Sequence, residues 1–293
     1  VYDDVNKQIN IMNSAGVVLN TWKGGDGTWN QTDPSWHDSN DLGITGLWNN
    51  YEFALFNGPA GTVAVDTGIQ ASGMAFQADG YSLTGNNPIT LAHDPNTPST
   101  DKPIIRVGDT TDAGKAMTAT IAAPIAGTEG LQKTDYGTLV LTGANTYTGG
   151  TDVLQGSLEL GDGGTINEAD GISVDAQGPQ IATFAINKTG TFTFGGVISG
   201  AGQFAQKGTG ETILTGNNTY SGGTSITAGT LSVSNENNLG NVSGQVSIDG
   251  GTLKYSQGFA SARAFALGAG NGTIETDDTV NDTIVDGVVS GNG

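Results

Sequence analysis

Gly137-Thr138-Leu139-Val140-Leu141-Thr142-Gly143-Ala144-Asn145-Thr146-Tyr147-Thr148-Gly149-Gly150-Thr151 decides the fold, because the chain says it twice. From Gly210 it reads Gly210-Glu211-Thr212-Ile213-Leu214-Thr215-Gly216-Asn217-Asn218-Thr219-Tyr220-Ser221-Gly222-Gly223-Thr224, and the echo continues from Gly156-Ser157-Leu158 into Gly229-Thr230-Leu231. Self-similarity at a fixed spacing is the mark of a repeat architecture. Around Leu141, Leu158 and Leu160 every second residue is apolar, the period of a half-buried strand. Each run is short and is closed by Gly-Gly, Gly-Asp-Gly-Gly or Asn-Thr-Tyr-Thr-Gly-Gly, which supply turn conformations. A strand of this length buries little by itself, so equivalent strands must stack. Pairs such as Leu141 over Leu214, Val153 over Ile226 and Leu158 over Leu231 are expected to occupy matching places in separate coils of a parallel β-helix.

Composition supports a folded, all-β chain. Of 293 residues, 48 are glycine and only 13% are charged, yet Val, Ile, Leu and Phe alternate too regularly for a low-complexity segment. The formal net charge of −19 excludes nucleic acid and anionic membrane surfaces as partners, since phosphate binding needs clustered Lys and Arg. The absence of cysteine removes disulfides, thiolate metal sites and thiol nucleophiles. No apolar run reaches the length of a membrane span or a signal peptide.

Three regions emerge. Residues 1–50 hold all four tryptophans, Trp22, Trp29, Trp36 and Trp48, in Gly-, Asp- and Asn-rich surroundings, and read as a cap with the first coil that seals core and strand edges. The other reading of Trp29, Trp36 and Trp48 is a set of aromatic platforms for sugar rings. Residues 51–121 read as early coils, through pairs such as Phe53 and Leu55 or Val63 and Val65. The segment 86–103 carries four of the eight prolines and reads as a protruding loop, whose His93, Asp94 and Asn96 are candidate ligand contacts. Residues 122–293 carry the repeats. The opening Gly195-Gly196-Val197-Ile198-Ser199-Gly200-Ala201-Gly202 returns as Asp286-Gly287-Val288-Val289-Ser290-Gly291-Asn292-Gly293, so a third unit is expected to follow.

The repeat from Leu139 to Thr151, and again from Ile213 to Thr224, resembles the passenger-associated repeat of bacterial autotransporter passenger domains. The Trp-rich start and Asp79-Gly80-Tyr81-Ser82-Leu83-Thr84-Gly85 resemble the amino-terminal part of such passengers. The resemblance implies a right-handed parallel β-helix with an N-terminal Trp-rich cap, exposed at the Gram-negative cell surface or secreted, and joined to the membrane only through a C-terminal β-barrel outside this sequence. Such repeats specify no activity, although many such passengers are adhesins or self-associate; the leading expectation is a non-enzymatic surface protein that binds a host-surface protein or glycan, or associates with other copies of itself in aggregates and biofilm. At about 20 residues per coil the chain would make about fourteen coils and, at about 4.8 Å each, a rod of roughly 65 Å.

A β-helix can also be a polysaccharide-cleaving enzyme. Lyases need a Lys or Arg base beside calcium-binding acids, and hydrolases several converging Asp residues with a nearby His or Arg. Here His37 and His93 precede the repeats, Arg106 and Arg263 lie far apart, and the polygalacturonase-like Gly-His-Gly and Arg-Ile-Lys segments do not occur. Gly80-Tyr81-Ser82-Leu83-Thr84-Gly85 has the wrong spacing for a nucleophile elbow, and Gly200-Ala201-Gly202 leads into a strand rather than a nucleotide-binding helix. No cofactor is expected. Calcium is the one cation that the acids suggest, at Asp26, Asp33, Asp38 and Asp41 or at Glu275, Asp277, Asp278, Asp282 and Asp286, without an EF-hand or iterated nonapeptide pattern.

Overall fold

A computed structural model describes residues 2–3, 8–9, 19–38, 45–277 and 283–292. Its backbone is a β-solenoid in which successive coils pair parallel, strand on strand. The longest ladder has twelve strands and runs from Gly27–Trp29 through Thr138–Leu141 and Thr224–Ile226 to Val289–Gly291. A second ladder joins Leu19–Trp22, Glu52–Phe56, Ile69–Phe76, Ile104–Val107, Leu131–Thr134, Thr151–Val153, Ile172–Val174 and Ile198–Ser199. A third, of five strands, runs from Phe192–Phe194 to Thr273–Thr276.

Register makes the core continuous. In the long ladder Leu83, Ile121, Leu141, Leu160, Ile186, Gln206, Ile226, Ile248 and Leu267 succeed one another as direct cross-strand partners. Every apolar member of that column except Leu267 is fully buried. Burying one such side chain contributes about 1.5–3 kcal/mol, so the column rather than any single strand holds the coils together. The alternate residues of the same strands, Thr120, Val140, Glu159 and Ala185, follow one another on the opposite face.

Two sequence expectations need correction. Twelve strands in the ladder mean eleven coil-to-coil steps, not fourteen coils, and a rise of about 50 Å rather than 65 Å. Coils are longer than expected because insertions add residues without adding height. The step from Leu83 to Ile121 takes 38 residues, against 20 from Ile121 to Leu141.

The second correction concerns the repeats. Leu141 stacks between Ile121 and Leu160 in the long ladder, whereas Leu214 stacks between Phe194 and Val233 in the five-stranded one. Likewise Val153 and Ile226 belong to different ladders. The second repeat is therefore displaced by one face around the axis. The change occurs in the coil Thr183–Ile186, Phe192–Phe194, Ile198–Ser199, where all three ladders have a strand.

The amino-terminal end is closed differently. There Leu19–Trp22 pairs antiparallel with Trp36–Asp38, which pairs antiparallel with Thr45–Gly46. The hairpin-like layer covers an edge that would otherwise offer unpaired N–H and C=O groups. Beneath it Trp22, Trp29, Trp36 and Trp48 are at most 2% exposed, with neighbouring ring centroids 4.7–5.2 Å apart at Trp36–Trp48, Trp29–Trp48, Trp29–Trp36 and Trp22–Trp36. Phe56 carries the cluster into the coils by stacking on Phe76 at 4.8 Å. The cap expected from sequence is present.

Candidate functional site

Much of the polar chemistry within the repeats is spent on holding the coils. The Asn145 side chain is buried: its Oδ1 accepts from Ile125 N at 2.8 Å, and its Nδ2 donates to Gly143 O and Thr165 O at 3.0 and 2.9 Å. Asn218 repeats the arrangement one face away, accepting from Ile198 N at 2.9 Å and donating to Asn238 O at 2.7 Å. Tyr147 and Thr151 share a buried 2.7 Å hydrogen bond, as Tyr220 and Thr224 do at 2.6 Å. Burial pushes the Tyr147 phenol up to about 12 and raises Tyr220 as well. The wide turn over these residues depends on Gly149 and Gly150, at φ 93° and 78°; a Cβ on Gly149 would lie 2.7 Å from Gly130 N.

Buried cations do the same work. Lys133 is fully buried and donates to Thr134 O, Asp135 O and Gln155 O at 2.7, 2.8 and 3.2 Å; burial pushes its ammonium down to about 7, with the Asp135 charge opposing. In the second repeat Gln206 stands in the corresponding place and donates to Gly208 O and Gly210 O. Lys188 donates to Gly161 O and Gly164 O, both at 2.7 Å. Arg263 is enclosed by Leu239 O, Gly240 O and Gly244 O, with its Nε on Glu236 at 2.8 Å.

The residues singled out from sequence fall into two separate places. Trp29, Trp36 and Trp48 have no ring face open to solvent, so they form the lid of the core and not sugar platforms. The apolar cost of leaving four indoles in water outweighs any placement among polar loops. His93 follows the strand Ile89–Leu91, which pairs with Ile69–Phe76 and Ile125–Ala126, so the segment 86–103 begins within the solenoid and projects only after Leu91. There His93 Nδ1 meets Glu129 Oε2 at 2.6 Å, and the same oxygen accepts from His93 N at 3.1 Å. Asp94 Oδ1 accepts from Asn96 N and Nδ2 at 2.8 and 2.9 Å, which knits a turn and leaves Asn96 exposed.

The acids proposed for calcium are spread among separate tasks. Asp26 Oδ1 accepts from Thr62 N at 2.7 Å, Asp33 from Asn30 Nδ2 at 2.8 Å, and Asp277 pairs with Lys254 at 2.7 Å. Asp41, Asp278 and Asp282 lie outside the described residues, as does the Asp38 side chain. Among the described residues no three His, Asp or Glu side chains are grouped to hold a metal ion.

Among the described residues, the outer surface carries grooves of which two adjoin the repeats. The larger, about 480 Å³, lies where Lys102 from the projecting segment crosses the Gly149-Gly150 turn of the first repeat and pairs with Asp152 at 2.8 Å. The smaller, about 220 Å³, lies on the outer face of the long ladder between Tyr136 and Lys207. Thr138, Ser157, Thr183 and Gln203, direct partners in four successive strands, form its floor. No sequence signal marks these residues individually. They are the polar half of an alternating pattern, and only the coil register brings them together.

The passenger-associated-transport-repeat family matches at residues 131–160 and 204–233, the two units identified above. The chain is 34% identical over 271 residues, 80% of its length, to the adhesin BmaC autotransporter of Brucella suis biovar 1, and spans 8% of that protein's length. No solved structure matches the chain. The repeats, the coil architecture and this likeness agree: the chain is a stretch of an autotransporter passenger domain with passenger-associated transport repeats, a kind of protein exposed at the Gram-negative cell surface or secreted from it.

Proposed function

We propose that this stretch is a non-enzymatic adhesive passenger segment, binding a host-surface molecule or another copy of itself through the outer faces of the solenoid. The likeness to an autotransporter adhesin over most of the chain carries this reading. The division of labour in the fold supports it. Stacked side chains and carbonyl-capped cations fill the interior, while Thr138, Ser157, Thr183 and Gln203 form a polar row on the outside and the segment after Leu91 projects. Such a scaffold presents long flat faces whose residues can vary without disturbing the core.

Purified protein coupled to beads tests the reading. Saturable attachment to host cells, or concentration-dependent self-association in sedimentation velocity, is the expected outcome. Beads that attach no better than uncoated ones, with a protein monomeric at every concentration, would refute it.

A further inference from the structure

We infer that the smaller groove, on the outer face of the long ladder, is a binding site for an acidic sugar unit, one carrying a carboxylate or sulfate. This deepens the adhesive reading above and depends on it for its biological meaning.

Charge is the first observation. The chain has net charge −19, and its described cations are largely consumed. Lys133, Lys188 and Arg263 are enclosed by backbone carbonyls, while Lys102, Arg106 and Lys254 are paired with Asp152, Asp135 and Asp277. Yet two lysines meet at this groove, Lys115 from one side and Lys207 from the other. Lys115 is exposed, reaches Gln180 Oε1 at 3.3 Å, and among the described residues forms no ion pair. Lys207 is paired with Glu159 Oε2 at 3.1 Å, beside Asn187 Nδ2 on Oε1 at 2.6 Å; it is 37% exposed, and this pair occupies one of its three N–H groups, so the groove's unpaired charge is that of Lys115 and the remaining donors are those of Lys207.

The rest of the lining suits a sugar. Tyr136 and Ile181, the latter 55% exposed, provide an aromatic and an aliphatic wall beside the polar floor. Gln203 Nε2 donates to Thr183 Oγ1 at 2.9 Å, which fixes both side chains on the floor. Ser157 Oγ is shielded from solvent and has no partner within the protein, so it adds shape rather than a contact to the floor. A few fixed polar groups beside an apolar wall are the usual make-up of a small-ligand site. An acidic peptide would need a longer cationic track than two lysines, and a neutral sugar would leave their charge unused. At about 220 Å³ the groove takes a single sugar unit of a longer chain.

The experiment titrates the protein with a heparin-derived tetrasaccharide, a hyaluronan tetrasaccharide and maltotetraose, using calorimetry. Saturable binding of at least one acidic tetrasaccharide, weakened about tenfold or more by Lys115→Gln and by Lys207→Gln, is expected. Heparin against hyaluronan separates sulfate from carboxylate recognition. Lys23→Gln, an exposed lysine outside the groove, should bind as the parent does. Lys115→Gln removes no ion pair among the described residues and only an exposed 3.3 Å hydrogen bond to Gln180, so it tests the idea even if Lys207→Gln unfolds. Equal binding of maltotetraose, no binding of either acidic sugar, an equal loss in Lys23→Gln, or tighter lysine-dependent binding of a polyglutamate peptide would each overturn the inference. Beads carrying the variants separate the two readings. Full cell attachment by Lys115→Gln and Lys207→Gln alongside absent sugar binding retires the groove alone. Lysine-dependent sugar binding without any cell attachment retires the adhesive function and leaves the groove.

Discussion

Replacing Asn145 by alanine tests whether the repeat's asparagine, and not only its leucines, joins one coil to the next. In the structure this side chain satisfies Ile125 N–H from the preceding coil and Thr165 C=O from the following one, besides Gly143 C=O. A buried polar group left without a partner costs about 1–3 kcal/mol; Gly143 C=O and Thr165 C=O keep the backbone donors Thr165 N–H and Asn145 N–H, so Asn145→Ala orphans the Ile125 N–H and should cost about 1–3 kcal/mol. A solenoid opens locally, so global unfolding alone can understate the loss. The sharper assay is native-state hydrogen exchange at the Ile125 amide, where about 2 kcal/mol means a loss of protection of about thirtyfold. Asn145→Asp sharpens it further. Aspartate keeps the acceptor for Ile125 N–H but turns a carboxylate toward two carbonyl oxygens, so it should be at least as damaging as alanine. Asn218→Ala should expose the Ile198 amide in the same way, since Asn218 makes the corresponding bond in the second repeat. An Asn145→Ala protein within 1 kcal/mol of the parent, with Ile125 still protected, would refute this account of the repeat.

Other consequences are equally direct. Lys133→Gln should be tolerated within about 1 kcal/mol, because Gln206 fills the corresponding place with donors to two carbonyls, whereas Lys133→Met strands three carbonyls and should cost about 2–4 kcal/mol in urea denaturation. Burial holds the folded Lys133 at about 7 against 10.5 for free lysine, so between those values the unfolded chain binds the extra proton. Parent stability should therefore rise with pH across that window, and Lys133→Gln should lack the rise. At the acid end, hydrogen bonds from Thr189 N and Oγ1 hold the Asp162 carboxyl below its ordinary 3.8. Its contribution is full above that value and is lost as pH falls through the lower folded one, so Asp162→Asn should flatten the acid limb of a pH–stability curve. Trp36→Ala should cost about 3–5 kcal/mol and uncover the capped edge, which size-exclusion chromatography would register as aggregation.

The alternation around Leu141 and Leu158 announced short stacked strands, and Gly149-Gly150 announced the turn between them, because both signals are local. The tryptophans were legible as a cap for the same reason that they failed as sugar platforms: large apolar rings at the end of an open stack are drawn under cover. The segment 86–103 was legible only in part. Pro88 marked its start, but Ile89–Leu91 still pairs on both sides, since proline before a strand removes no donor from the ladder. Lys133 carries no sign of burial in the sequence. Its burial depends on three carbonyls of neighbouring turns, which no reading of residues one at a time supplies.

The sequence by itself determined that short strands stack coil on coil, that a Trp-rich layer closes one end, and that the chain belongs among autotransporter passengers, because periodicity and repeat motifs are properties of neighbouring residues. Only the tertiary structure decided which face each repeat occupies and which outer side chains share a groove. A strand's place around the axis depends on the summed length of every turn before it, and the turn lengths between Leu160 and Ile198 advance the second repeat by one face. The same sum aligns Thr138, Ser157, Thr183 and Gln203 into one floor.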